Sequence, residues 1–321
     1  MDDVMDAARE PTSIEAVFAA ERPRLVGLAY RITGSRLDAE DAVQEAWLRS
    51  QRVDPADLDR PGAWFTTVVS RLALDHLKSA RRRRETYVGP WLPEPVRTLP
   101  VPGVRPRAGV TPGAVAADDD PAELAAVAES LTFGFLRLLE TLGPAERVVF
   151  LLADVFDTPY DEIAAVVDRT PEACRQLASR ARRRVRAGDV RHDLPDDANL
   201  VVGELLAAVA AGDVDQVISL MAEDVVLVSD GGSDARAARR PVLGNRRAAR
   251  YTVNLAQKWL PRCLVEPMVI NGEPGLVMRL RGHEEVFVAM AVQVCERRVV
   301  AIHFVRNPDK LAALELGDAI R

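Results

Sequence analysis

Side chains that can move protons are present but scattered. His283, His303, Asp230 and Glu266 are of the types used in general acid–base catalysis. No histidine–carboxylate spacing stands out among them, and a lone histidine at a strand position is more often structural. The three cysteines, Cys174, Cys263 and Cys295, offer neither a CxxC pair nor a disulfide framework. No catalytic residue, metal or cofactor is therefore expected. The functional side chains that do cluster are cations. Arg81 to Arg84 form an unbroken run, and no acid interrupts the stretch from Ala173 to Gly188, where Arg175, Arg180, Arg182, Arg183 and Arg186 fall. Such groups suit a polyanion such as a phosphate backbone. The chain as a whole is acidic, with a net charge of −6 and a pI near 5.5, so these contacts must be local.

Proline and glycine divide the 321 residues that carry these groups. Pro90, Pro93, Pro95, Pro100, Pro102, Pro106, Pro112 and Pro121 mark an extended linker over 86–120, because proline removes backbone donors and blocks helix. It separates helical segments over 13–85 and 121–190. From 198 to 321 two helices are followed by a strand, a further helix over Asn245–Trp259 and four more strands. Asn271-Gly272 is a hairpin signal between two of these strands. The acidic start, Met1 to Asp6, lacks the basic and apolar parts of a secretion signal, and no run is long enough for a membrane helix. A cytoplasmic protein with no membrane partner is expected.

The spacing of Ala39, Ala42, Val43, Ala46 and Trp47 predicts an amphipathic helix with Asp38, Asp41 and Glu45 on another face. A second helix follows from Pro61, with Trp64, Val68 and Leu72 as its apolar stripe and Arg71, Lys78 and Arg82 on a separate face. In the other helical segment, Leu138–Leu152 reads as helix, turn, helix and Pro159–Val167 as a short helix. After the Asp168-Arg169 turn, Thr170 suits an N-cap and Pro171 a first helical position. The last helix buries Cys174, Leu177, Ala181 and Val185. That order is a helix-turn-helix whose second helix can enter a major groove, with Arg175 and Gln176 nearest base edges and later arginines on phosphates.

The succession DAEDAVQEAWLR, then PGAWFTTVVSRLALDHLKSARRRRE, resembles region two of extracytoplasmic-function sigma factors, and the helix-turn-helix resembles their region four. The resemblance implies that Asp38, Asp41, Gln44 and Glu45 bind core RNA polymerase. It implies that Trp64, Arg71, His76, Lys78, Arg81 and Arg82 meet the minus-ten element of promoter DNA. Glu172, Arg175, Gln176, Ser179, Arg180 and Arg183 would meet the minus-thirty-five element. Trp64, Asp75 and Lys78 match an aromatic, an acid and a base of the family pattern. Arg71 stands where many members have asparagine, and Asp168 where glycine is usual.

The C-terminal order resembles the SnoaL-like cone, an α+β domain that one subgroup of these factors carries. Its linker motif is seen as Trp91-Leu92-Pro93-Glu94-Pro95 and its tail motif as Asn307-Pro308-Asp309-Lys310-Leu311. A third motif is partly kept as Asp230-Gly231-Gly232-Ser233-Asp234. The fold class implied is two all-α sigma domains plus a regulatory α+β cone, able to hold a small molecule. Regulatory contacts are then expected from Trp91, Pro93, Asp230, Gly231, Gly232, Asn307, Pro308, Asp309 and Lys310. The C-terminal domain is expected to pack on the linker and set the separation of the two readers. The alternative is a helix-turn-helix regulator whose cone senses a ligand or is an enzyme, which leaves the acidic helix and the Trp64–Arg84 segment without a role.

Overall fold

Local chemistry sets the helix boundaries. In a computed structural model, which describes residues 13–54, 58–84 (backbone alone for 82–84), 87–98, 131–187, 197–233, 235, 237–315 and 319, the first helix, α1 (Ile14–Thr33), starts where the Ser13 hydroxyl accepts the Ala16 N–H at 3.2 Å. It stops at Gly34, whose φ of 73° suits glycine and whose N–H closes on the Tyr30 carbonyl at 2.7 Å. Helix α2 (Arg36–Ser50) is capped by the Ser35 hydroxyl, which accepts the Asp38 N–H. Ala39, Ala42, Val43 and Ala46 are buried as the spacing predicts, and Trp47 stacks on Phe18 with ring centroids 4.7 Å apart.

Helix α3 (Pro61–Arg84) corrects one expectation. Its fully buried stripe is Phe65, Val69, Ala73 and Leu77, one residue on from the predicted Trp64, Val68 and Leu72, which flank it half-buried. The reason is that α3 is covered on two sides. One flank packs on α1 and α2, and the other packs on helices beyond the linker.

Those helices are α4 (Phe133–Leu139), α5 (Pro144–Phe150, running into a wider turn over Leu151–Val155), α6 (Tyr160–Val167) and α7 (Pro171–Ala187). Asp168 takes a left-handed φ of 54° between α6 and α7, a conformation aspartate tolerates better than most residues. The Thr170 hydroxyl accepts the Ala173 N–H at 3.2 Å, capping α7. Cys174, Ala178 and Ala181 form the buried side of α7, and the expected Leu177 and Val185 lie half-buried beside them. The apolar side chains of α1 to α7 form one continuous core. The linker positions 99–120, the predicted helix start over 121–130, and 188–190 lie outside the described residues.

The C-terminal part opens with α8 (Ala198–Ala211) and α9 (Val214–Leu220), then β1 (Met221–Asp230), β2 (Val242–Leu243) and α10 (Asn245–Trp259). Strands β3 (Cys263–Ile270), β4 (Glu273–Leu280), β5 (Val286–Cys295) and β6 (Arg298–Val305) follow, then α11 (Pro308–Leu311), which runs into a tighter turn over Ala312–Glu315. The sheet order is β2-β1-β6-β5-β4-β3, antiparallel except for the β1–β6 pair. Asn271 and Gly272 both take positive φ, 53° and 74°, in the two-residue turn between β3 and β4.

Period-two alternation splits the sheet's side chains between two cores. Met278, Val288, Met290 and Phe304 face the helices α8 to α10. Val277, Ala289, Ala291 and Val305 face the opposite way, onto Leu92 of the linker, Phe133 of α4 and Leu311 of the tail. The back of the cone is thus buried by the linker and by α4.

Candidate nucleic-acid interface

Helix α2 presents its acids as expected. Asp41, Gln44 and Glu45 are exposed, and Glu45 pairs with Arg49 at 2.9 Å. Asp38 is half-buried, with its carboxylate 3.3 Å from the His76 ring of α3. Leu37 and Leu48, 45% and 51% exposed, extend the same face at helical spacing. The acids of this face are thus interleaved with exposed apolar side chains.

Helix α3 carries its cations along a face that turns toward the helices after the linker. Arg71 donates from Nε and Nη2 to the Ala165 carbonyl of α6, at 3.0 and 2.5 Å. Arg81 donates to the Leu142 carbonyl at 2.9 Å. Arg60, just before α3, pairs with Glu162 of α6 at 2.6 Å. Lys78 is exposed and meets Asp75 at 3.0 Å. Trp64 is half-buried and meets the Phe65 ring nearly at right angles, with centroids 5.2 Å apart. The Arg82 side chain lies outside the described residues.

Helix α7 leaves its outer face open. Glu172, Arg175, Gln176, Ser179, Arg180 and Arg183 are all exposed. Arg175 lies over the Tyr160 ring at 5.5 Å and 3.3 Å from Glu172, which orients its guanidinium near the helix start. Arg182 points inward instead, onto Asp154 at 2.6 Å and the Tyr160 hydroxyl at 3.0 Å, and so braces the motif. Arg147 is buried under the turn, donating to the Arg31 carbonyl at 2.9 and 3.1 Å and pairing with Glu140.

The linker is gripped at two places. At the first, the fully buried Asp230 carboxylate accepts from Tyr87 Oη at 2.5 Å, from Lys310 Nζ at 2.6 Å, from the Leu92 N–H at 2.8 Å and from the Gly232 N–H at 3.1 Å. Lys310 also donates to the Leu92 carbonyl at 2.5 Å, with its ammonium over the Trp91 and Tyr87 rings at 4.3 and 4.8 Å. Asn307 donates to Tyr87 Oη at 2.9 Å and caps α11 through the Asp309 N–H. Burial and the neighbouring Asp230 carboxylate together push the Tyr87 hydroxyl well above the usual phenol range, so it stays a donor. The far edge of Trp91 rests on Gly34, where an added Cβ would lie 2.8 Å from the ring. Gly232 abuts Asn307, and Pro93 is buried, while Pro308 and Asp309 are exposed.

At the second place, Glu94 fastens the linker to α1 and α2. Its carboxylate accepts the Arg36 N–H at 2.6 Å, at the positive end of α2. Burial raises its pKa, opposed by those hydrogen bonds. Its N–H donates to the Gly34 carbonyl and its carbonyl accepts Tyr30 Oη at 2.6 Å. Asn271 Nδ2 donates to Tyr30 Oη and to the Leu131 carbonyl, at 2.7 and 3.0 Å, while its Oδ1 accepts the Val96 N–H at 3.0 Å. One side chain thus ties α1, the linker, Leu131 two residues before α4, and the cone. Tyr30, Tyr87, Glu94 and Asn271 were not among the expected contact residues.

The four acid–base candidates do not converge. Asp230 is occupied by the linker, and His283 and Glu266 are exposed, the latter paired with Arg279. His303 is buried at the back of the cone, its ring tilted against Phe133 with centroids 5.2 Å apart, and 3.9 Å from the buried Glu273. Burial pushes Glu273 up to about 8 against the pull of the Phe133 N–H. Burial and the Arg137 guanidinium push His303 down to about 3. None of the four lines the cavity of about 300 Å³ inside the cone.

Residues 17–83 match the family model for Sigma-70 region 2, and residues 133–185 match that for Sigma-70, region 4. The chain is 41% identical over 315 residues to ECF RNA polymerase sigma factor SigJ of Mycobacterium tuberculosis (strain ATCC 25618 / H37Rv), covering 94% of each. It is 31% identical to the probable ECF RNA polymerase sigma factor SigI of the same species, covering 95% of this chain and 97% of the other. The crystal structure of SigJ superposes with a TM-score of 0.70 at 36% identity, covering 94% of this chain and 99% of that one. With both helical regions matched, and with that likeness running through the cone, this chain belongs to the extracytoplasmic-function RNA polymerase sigma factors.

Proposed function

We propose that this sigma factor docks on core RNA polymerase through the α2 face of Leu37, Asp41, Gln44, Glu45 and Leu48. It then reads promoter DNA with α3 at the minus-ten element and α7 at the minus-thirty-five element, and the polymerase supplies the chemistry. The arrangement described is its resting form. One observation carries this: Arg71 and Arg81 donate to the Ala165 and Leu142 carbonyls of the opposite helical region. Those contacts turn the two guanidinium groups toward the opposite helical region, and in this reading α3 parts from α5 and α6 to present them to DNA.

The cone restrains that separation by holding the linker at Asp230 and at Asn271. Its cavity is read as a site for a small molecule bound without turnover. An operator-binding repressor would have no use for the α2 face.

Glu162 touches Arg60 across the two regions but belongs to neither reading face. Glu162→Lys replaces that attraction by repulsion and should raise factor-dependent transcription by core polymerase in vitro. Unchanged or lower output would count against a resting form held this way.

A further inference from the structure

We propose that the outer face of α10, with the loop before it, is a third DNA-binding surface, which holds the phosphate backbone of a duplex and reads no base. The inference rests on the reading of this chain as a DNA binder and adds a surface to it.

Charge marks the surface first. Between Asp234 and Glu266 the chain has eight lysines and arginines and no aspartate or glutamate, in a protein whose net charge is −6. A local basic cluster of this kind is what a polyanion meets, whatever the sign of the whole chain. Arg239, Arg240, Arg246, Arg247, Arg250 and Lys258 are all exposed.

Helix geometry gathers them. Ala248, Ala249, Thr252 and Val253 are the buried side of α10. Arg246 and Arg250 are four positions apart and Arg247 and Arg250 three, so the three arginines share the outward face. Asn254 and Gln257 prolong it with exposed amides. Side chains of these types contact phosphates, which fixes position and carries no sequence information. The 15 residues of α10 span about 22 Å, a length over which a duplex carries about 13 negative charges.

The arginines are also set where the fold alone does not favour them. The positive end of a helix repels cations. Arg246 and Arg247 stand in the first turn of α10, which holds no acidic residue. Strand β1 brings the exposed Glu223 and Asp224 toward that end, since the Gly244 N–H donates to the Val225 carbonyl at 2.9 Å. Yet Arg246, Arg247 and Arg250 form no ion pair among the described residues. An anion from outside accounts for cations placed this way.

Position favours DNA over other polyanions. A Cβ added to Gly89 of the linker would lie 3.8 Å from the Arg239 Cα. Gly89 is five residues past the Arg81–Arg84 run that ends α3, so at most about 18 Å of chain separates the two basic surfaces. DNA held at the end of α3 is therefore within reach of the cone. A lipid surface would call for apolar side chains among the cations. Leu243 is the one large apolar side chain exposed between 235 and 258, among the described residues.

The test is fluorescence anisotropy of a labelled short duplex of arbitrary sequence, titrated with the full chain between about 50 and 200 mM salt. Arg246→Gln, Arg247→Gln and Arg250→Gln together should weaken binding at least about tenfold at about 0.1 M salt and lower the salt slope by about 2–3, since each phosphate contact contributes about 0.9. The same three changed to lysine should keep the slope within about 1 of the unaltered chain's, because the charge remains. Unchanged affinity and slope in the glutamine variant, with binding lowered by Arg183→Ala, overturns this surface and leaves the reading of α7. A slope lost equally in the lysine variant makes the arginines structural and overturns the proposal. Vesicles of phosphatidylglycerol and phosphatidylcholine in equal parts, bound as tightly as the duplex through the same three arginines, would assign the surface to lipid and overturn the DNA class. No binding of the duplex by the unaltered chain overturns the reading beneath it.

Discussion

Asp230→Asn and Lys310→Met, made singly and together, measure how firmly the cone holds the linker. The pair is 2.6 Å apart, with Asp230 wholly buried and the Lys310 side chain 9% exposed. Removing either partner strands the other as a buried charge, at a cost of about 3–5 kcal/mol. Lys310 without its carboxylate keeps the Leu92 carbonyl and two aromatic rings. Asp230 without its ammonium keeps the Tyr87, Leu92 and Gly232 donors, so its loss should sit at the lower end of that range. Since about 1.4 kcal/mol is tenfold, each single variant should cost the 87–98 segment a hundredfold or more of its hydrogen-exchange protection. The double variant should fall short of the sum by about 2–3 kcal/mol, because the two side chains share one interaction. Additive losses, or single losses below about 1 kcal/mol as at an exposed ion pair, would refute a buried clamp.

Stability should also depend on pH through the back of the cone. Glu273, held at about 8 when folded and near 4.5 when not, contributes stability that is full below 4.5 and lost as pH rises to 8. His303, held at about 3 against 6.5, contributes stability that is full above 6.5 and lost as pH falls toward 3. The two trends oppose between 4.5 and 6.5, so the urea midpoint should fall between pH 6.5 and 8, and Glu273→Gln should flatten that fall. On DNA, Arg183→Ala should weaken α7 binding evenly across sequences and reduce the salt slope by about 1. Arg175→Ala should instead relax preference at one base position, at about 1–3 kcal/mol, in a sequence-selection assay. Asp41→Lys with Glu45→Lys should reduce capture of core polymerase at modest salt while leaving the melting temperature within about 2 °C, since surface substitutions seldom move stability by more than about 0.5 kcal/mol.

Much of the frame was legible because it rests on local signals. Ser13, Ser35 and Thr170 cap helices where their side chains permit, and Asn271-Gly272 makes the turn its backbone allows. The linker motif, the tail motif and the partly kept third motif pointed to Trp91, Lys310 and Asp230, and Lys310 meets both of the others. What stayed hidden depends on pairing across distance. Tyr30 and Asn271 are 241 positions apart, and neither carries a sign of the other. Arg71 on a basic helix face looks the same whether it awaits a phosphate or holds the Ala165 carbonyl. The α3 stripe was misplaced by one residue because a helix covered on two flanks buries two adjacent rows, and single-face periodicity reports their average.

The most direct test of the central claim is transcription in vitro by core RNA polymerase on fragments of the chain's own genome, with transcript 5′ ends mapped with and without the purified protein. The account predicts new starts that appear with the protein and share two upstream elements at a fixed spacing, lost together when Asp41→Lys and Glu45→Lys are combined. Starts identical with and without the protein would contradict it.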